Sequence, residues 1–141
     1  MFSLKKVLAR ALGAGLVIAG LVSLPASPAV AAGSWCHPGT LSFPQACIST
    51  TGTGLYIGTL SGWVNNTTGT SWANLHIELY GPNGLIKNCP EFTLQILGRS
   101  PVCSWSPNHN EPAGTYGQIT WIRTGTNSYR NLTGITVGVH A

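Results

Sequence analysis

Trp72-Ala-Asn-Leu-His-Ile-Glu-Leu-Tyr80, closed by Gly81-Pro-Asn-Gly84, is the stretch that decides the fold. Ala73, Leu75, Ile77 and Leu79 alternate with Trp72, Asn74, His76, Glu78 and Tyr80. Successive side chains of a strand point to opposite faces, so a period of two marks a half-buried strand. The Pro-Asn-Gly that follows is turn chemistry: Pro presets φ at the first corner, and Asn-Gly accepts positive φ at the next. The chain is predicted to run extended over 72–80 and to reverse at 81–84.

The same punctuation continues in both directions. From residue 46 onward Gly, Asn, Pro, Thr and Ser interrupt the chain at short intervals, and no helical stripe is present. Period-two runs are read at 46–50, 55–65, 72–80, 85–88, 92–96, 102–105, 116–124 and 132–139. In the last of these, Ile135, Val137 and Val139 share a face. Seven or eight strands in about 109 residues suit two opposed antiparallel sheets, each hiding one face of its strands. A parallel α/β fold needs crossover helices, and none is read. The prediction is an all-β sandwich domain over 46–141, preceded by a disulfide-stapled segment over 33–45 and an export signal over 1–32.

The export signal is read from Lys5, Lys6 and Arg10, an uncharged stretch over 11–24, and Pro25-Ala-Ser-Pro-Ala-Val-Ala-Ala32. This is the basic, apolar, small-residue order of a secretory signal peptide, with cleavage expected after Ala31 or Ala32. Fourteen helical residues rising about 1.5 Å each reach roughly 21 Å, short of the roughly 30 Å hydrocarbon core, so a membrane anchor is not expected. The protein is predicted to be secreted, extracellular and free of the membrane.

Cleavage removes three of the seven Lys and Arg residues. Lys87, Arg99, Arg123 and Arg130 then stand against Glu78, Glu91 and Glu111, four positive against three negative, a net charge of +1. The charges are scattered, so nucleic-acid binding has no electrostatic basis. Only 7% of residues are charged, which leaves a surface of hydroxyls, amides and aromatic rings. Such a surface suits neutral polymers or a protein partner.

Cys36, Cys47, Cys89 and Cys103 all follow the signal, and an even count in an exported chain reads as two disulfides. Three connectivities are open. The short loops, Cys36–Cys47 and Cys89–Cys103, are preferred, each removing about 3 kcal/mol of unfolded-chain entropy in the simple treatment. No Cys-x-x-Cys pair is present to suggest zinc.

Several chemistries lack their residues. The chain contains no Asp, so a Ser-His-Asp triad is impossible, and no Gly-x-Ser-x-Gly elbow supports a Glu version. Two-carboxylate glycosidase chemistry would have to draw on Glu78, Glu91 and Glu111, which are read as separate solvated surface groups. His37, His76, His109 and His140 are never at ligand spacing, and strong calcium sites want more carboxylates than are present. No catalytic residues, metal or cofactor are predicted, and a monomer is expected.

Trp63-Val-Asn-Asn-Thr-Thr-Gly-Thr-Ser-Trp-Ala-Asn-Leu-His-Ile-Glu-Leu-Tyr-Gly-Pro-Asn-Gly84 resembles the central hairpin of bacterial immunoglobulin-like β-sandwich domains. Pro112-Ala-Gly-Thr-Tyr116 resembles their loop-to-strand corner, in which a Tyr hydroxyl bonds back to the backbone. The layout is similar to small secreted β-sandwich proteins of actinobacteria, many without an assigned function. The resemblance implies fold, not activity. A tyrosine corner would turn Tyr116, Gln118, Thr120 and Ile122 inward, whereas hydrophobicity prefers Ile119 and Trp121 inside; a bulge near Gly117 is expected to reconcile the two. No Cys pair is placed to join the sheets in the antibody manner.

The candidate ligand-binding residues are Trp72, Asn74, His76 and Tyr80. On one strand face Trp72, His76 and Tyr80 would form a row at roughly 13 Å steps, with amides between. Rings stack on sugar faces and amides bond hydroxyls, so polysaccharide or cell wall is the expected partner of a non-catalytic binding or structural protein. The competing reading makes Trp72 and Tyr80 ordinary packing residues of a half-buried strand. An alternative function is inhibition of an extracellular hydrolase, with Ser104-Trp-Ser-Pro-Asn-His-Asn-Glu-Pro112 presented as a rigid loop.

Overall fold

The structure, a computed structural model, describes residues 32–141. The predicted export signal, Ala32 apart, lies outside the described residues. The described chain consists of β1 (Gly33–Cys36), β2 (Gln45–Thr53), β3 (Tyr56–Asn65), β4 (Trp72–Gly81), β5 (Gly84–Asn88), β6 (Phe92–Leu94), β7 (Cys103–Trp105), β8 (His109–Asn110), β9 (Gly114–Gly125) and β10 (Ser128–Val139), with no helix among these residues.

Two antiparallel sheets pack face to face. Sheet I has the order β1-β2-β3-β7, with β8 also on β3, and sheet II has the order β10-β9-β4-β5, with β6 also on β4. With β3 central in one sheet and β9 and β4 central in the other, the arrangement is an immunoglobulin-like sandwich. Ile48, Ile57, Leu60 and Val64 meet Leu75, Ile77, Leu79 and Leu94 between the sheets, and Tyr116 and Val139 complete the core. Each such side chain, fully buried, contributes about 1.5–3 kcal/mol of apolar transfer.

The count of ten strands exceeds the seven or eight expected, and both additions have a physical reason. Residues 33–45 are not merely a leader, because β1 pairs with β2 in a register that sets Cys36 opposite Cys47. The stretch 104–112 is not one free loop either: His109 and Asn110 pair with Ile57 and Tyr56 at the end of β3. The strand expected over 92–96 stops at Leu94, since Leu97 takes φ 57° and Ile96 and Leu97 point to solvent.

Both short-loop disulfides are formed, Cys36–Cys47 and Cys89–Cys103, and no free cysteine remains among the described residues. Two disulfides fit an oxidising compartment. Among the described residues no helix is long and apolar enough to cross a membrane. The first bridge lies within sheet I. The second ties Cys89, directly after β5 of sheet II, to Cys103 on β7 of sheet I. It therefore does join the sheets, at their edge rather than through the middle of the sandwich.

On β9 the tyrosine corner prevails over hydrophobicity. Tyr116 is buried and its Oη donates to the Pro112 carbonyl at 2.9 Å. Gln118 and Thr120 follow it inward, both fully buried, while Ile119 and Trp121 face out half-buried. No bulge intervenes, since β4 and β9 pair without a register shift from Leu75–Ile122 to Tyr80–Gly117. The inward polar groups are satisfied by each other and by β3: Thr120 Oγ1 donates to Gln118 Oε1 at 3.1 Å, and Gln118 Nε2 donates to the Trp63 carbonyl at 3.4 Å. A buried polar group that keeps its hydrogen bonds avoids most of its desolvation cost. Glycine makes room for both residues: a Cβ on Gly62 would sit 2.8 Å from the Gln118 Cβ, and one on Gly81 would sit 2.9 Å from the Tyr116 ring.

Candidate functional site

The outer face of sheet II carries the site. Leu75, Ile77 and Leu79 point inward from β4, so His76, Glu78 and Tyr80 point outward. The register sets His76 opposite Trp121, Glu78 opposite Ile119 and Tyr80 opposite Gly117 of β9. The β9–β10 hairpin then places Tyr129 opposite Arg123. The segment after β5 brings Asn88, Cys89, Pro90 and Glu91 to the other side. Between them opens a cleft of about 650 Å³, within the range of small-ligand sites.

The predicted aromatic row is not formed as one face. Asn74 takes φ 57° and the β4–β6 register shifts between Trp72 and Leu75, so a bulge resets the alternation ahead of Leu75. Trp72 consequently packs against the core, and its Nε1 donates to Thr68 Oγ1 at 2.8 Å. Asn74 is exposed and its Oδ1 accepts from Arg123 at 3.3 Å, at the rim. His76 and Tyr80 do share the face, through Glu78. Tyr80 Oη donates to Glu78 Oε2, and His76 Nε2 lies 3.4 Å from Glu78 Oε1.

Trp121, Tyr129, Glu91 and Arg123 complete the site and were not among the ligand-binding residues expected from sequence. The Tyr129 ring stands edge-on to His76 at a centroid distance of 4.9 Å. Glu91 accepts from Arg123 at 3.0 Å and from the Tyr129 hydroxyl at 3.5 Å. The Trp121 Nε1 is buried beside the Tyr80 hydroxyl, on which its N–H acts from outside full hydrogen-bond geometry. The Tyr80 hydroxyl is pushed up to about 12, first by burial and then by its bond to Glu78, with the Trp121 N–H opposing the rise. Tyr80 therefore stays protonated and keeps donating to Glu78.

Two carboxylates expected to be separate thus converge on one cleft, Glu78 on its floor and Glu91 at its edge. Among the described residues no group of three or more His, Cys, Asp and Glu side chains is arranged to hold a metal. A second cleft, of about 550 Å³, lies next to the first on the same face, with Tyr80, Gly117, Ile119, Asn131 and Thr136 among its walls. From the His76–Trp121 pair to the Tyr80–Gly117 pair is four residues of strand, roughly 13 Å. The first depression lies over β4 and the segment after β5 and the second over β9 and β10, with the Glu78–Ile119 pair between them.

The 104–112 stretch lies apart from this face. Ser104 and Trp105 are paired to β3, and so are His109 and Asn110, which leaves 106–108 as the projecting tip. Comparison with protein-family models, with curated proteins and with solved structures finds no match to this chain.

Proposed function

We propose that the protein is a secreted, monomeric, non-catalytic module that binds polysaccharide along the outer face of sheet II. The observation that carries this reading is the pair of clefts on the outer face of sheet II, the first walled by Trp121, Tyr129 and His76 with acceptors from Glu78 and Asn88, the second by Tyr80, Ile119 and Asn131. A line of shallow depressions longer than one ring suits a polymer better than a small metabolite. Flat rings cover the apolar faces of sugars, while amides and carboxylates exchange hydrogen bonds with hydroxyls. The basic, apolar, small-residue leader and the two disulfides support export.

The test is retention on insoluble chitin, cellulose and isolated cell wall. Wild-type protein is expected to be retained on at least one, and Trp121→Ala to be released. Trp72→Phe is expected to bind as wild type does, because its ring faces the core. Absence of retention on every polymer, or retention indifferent to Trp121→Ala, sinks the proposal.

A further inference from the structure

The chain has three carboxylate side chains and no Asp, yet two of the three, Glu78 and Glu91, line one aromatic-walled cleft. Their electrostatic states differ. Glu91 is neutralised by Arg123 at 3.0 Å. Among the described residues Glu78 is approached by His76 and the Tyr80 hydroxyl, and by no Lys or Arg. Its side chain is only 15% exposed, so water screens it poorly. A carboxylate offers about four lone-pair positions, and these two contacts leave about half of them open. The rings of Trp121 and Tyr129 stand in the same walls, and an aromatic face attracts a cation through its quadrupole. A poorly screened carboxylate with no Lys or Arg beside it, set among aromatic rings, is the chemistry that selects a positive charge.

We infer that the cleft takes a protonated primary amine carried on the glycan, that of a de-N-acetylated amino sugar. This rests on the polysaccharide-binding reading and narrows it, from a neutral polymer to one bearing free amines. The ammonium donates to Glu78 and lies against Trp121 or Tyr129, while the neighbouring hydroxyls of the sugar meet Asn88. An N-acetyl group in the same place would bring no charge to Glu78. Long-range attraction does not supply the selectivity, because the chain beyond residue 32 has a net charge of +1 and repels a polycation.

The experiment is calorimetric titration of the intact secreted protein with two oligomers of equal length, fully deacetylated glucosamine and fully N-acetylated glucosamine. The deacetylated oligomer is expected to bind roughly tenfold tighter, an advantage that weakens with added salt. Glu78→Gln is expected to bring the two oligomers to parity. Glu91→Gln, at a more exposed position, serves as a second variant and is expected to shrink the advantage. Equal or tighter binding of the N-acetylated oligomer by wild-type protein overturns the inference and leaves the polysaccharide reading standing. Binding of neither oligomer, together with no retention on any insoluble polymer, overturns both.

Discussion

The two disulfides close loops of nearly equal length, yet the structure assigns them different weights. Sequence separations of 14 for Cys89–Cys103 and 11 for Cys36–Cys47 each correspond to about 3 kcal/mol of unfolded-chain entropy. The difference arises from what each bond holds. Cys103 is 1% exposed within the core cluster, and its bond joins the sheets. Cys36 is exposed, and its bond fastens a four-residue edge strand to β2. Without that bond β1 frays locally, so the entropic part of the loss is capped by the docking free energy of one short strand. Cys89→Ala with Cys103→Ala is expected to lose about 4 kcal/mol, the loop term plus about 1 for the vacated sulfur volume. At about 4 °C per kcal/mol for a domain near this size, Tm falls by roughly 15 °C. Cys36→Ala with Cys47→Ala is expected to lose only about 2–3 kcal/mol, the fraying of β1 plus about 1 for the sulfur volume vacated by the fully buried Cys47, and to expose the amides of β1 to hydrogen exchange. Urea and thermal unfolding followed by far-UV circular dichroism measure both. Equal losses would refute the reasoning by showing that β1 belongs to the cooperative unit, and a loss below about 1 kcal/mol for the cross-sheet pair would refute the weight given to that bridge.

Tyr116→Phe, which removes the hydroxyl bonded to the Pro112 carbonyl, is expected to lower stability by about 1 kcal/mol in urea unfolding without changing polymer retention. Gln118→Leu leaves the Thr120 hydroxyl and the Trp63 carbonyl without that partner and is expected to cost about 1–3 kcal/mol; adding Thr120→Val is expected to cost less than the sum of the single losses, and strict additivity in the double-mutant cycle would contradict the pairing. Because the Tyr80 hydroxyl is raised from 10.0 to about 12, first by burial, its stabilisation is complete below pH 10 and is lost as pH rises toward 12. The urea midpoint should fall across that window, and less steeply in Tyr80→Phe.

Most of the architecture was legible because it rests on local periodicity. Leu75, Ile77 and Leu79 alternate in the sequence and are buried in the core, and the Gly81–Gly84 turn joins β4 to β5. Trp72 was misplaced because Asn74 adopts a left-handed conformation, and a bulge of this kind leaves no mark in hydropathy. On β9, hydropathy favoured Ile119 and Trp121 over Gln118 and Thr120. The corner motif at Pro112–Tyr116 held the better information, because a single hydrogen bond there sets the phase of the whole strand. Strand β1 escaped notice since four residues are too few to show a period. The cleft was legible only in part. His76 and Tyr80 lie on one strand, but Trp121, Tyr129 and Glu91 reach it through the pairing of β4 with β9, of β9 with β10, and through the turn after β5. Register between distant strands is not written in local pattern. Trusting the tyrosine corner would nonetheless have turned Trp121 outward.

The bridge from Cys89 to Cys103 also has a mechanical meaning. Cys89 is part of the cleft wall, and Cys103 is anchored in the opposite sheet. A pull on the 88–91 wall is therefore not borne by the short, bulged β4–β5 ladder alone, whose hydrogen bonds would unzip one after another under load. It passes through a covalent bond into β7 and from there into β3 at the centre of sheet I. A protein tethered at this wall would share tension between both layers of the sandwich, holding its shape under forces that would peel an edge strand away.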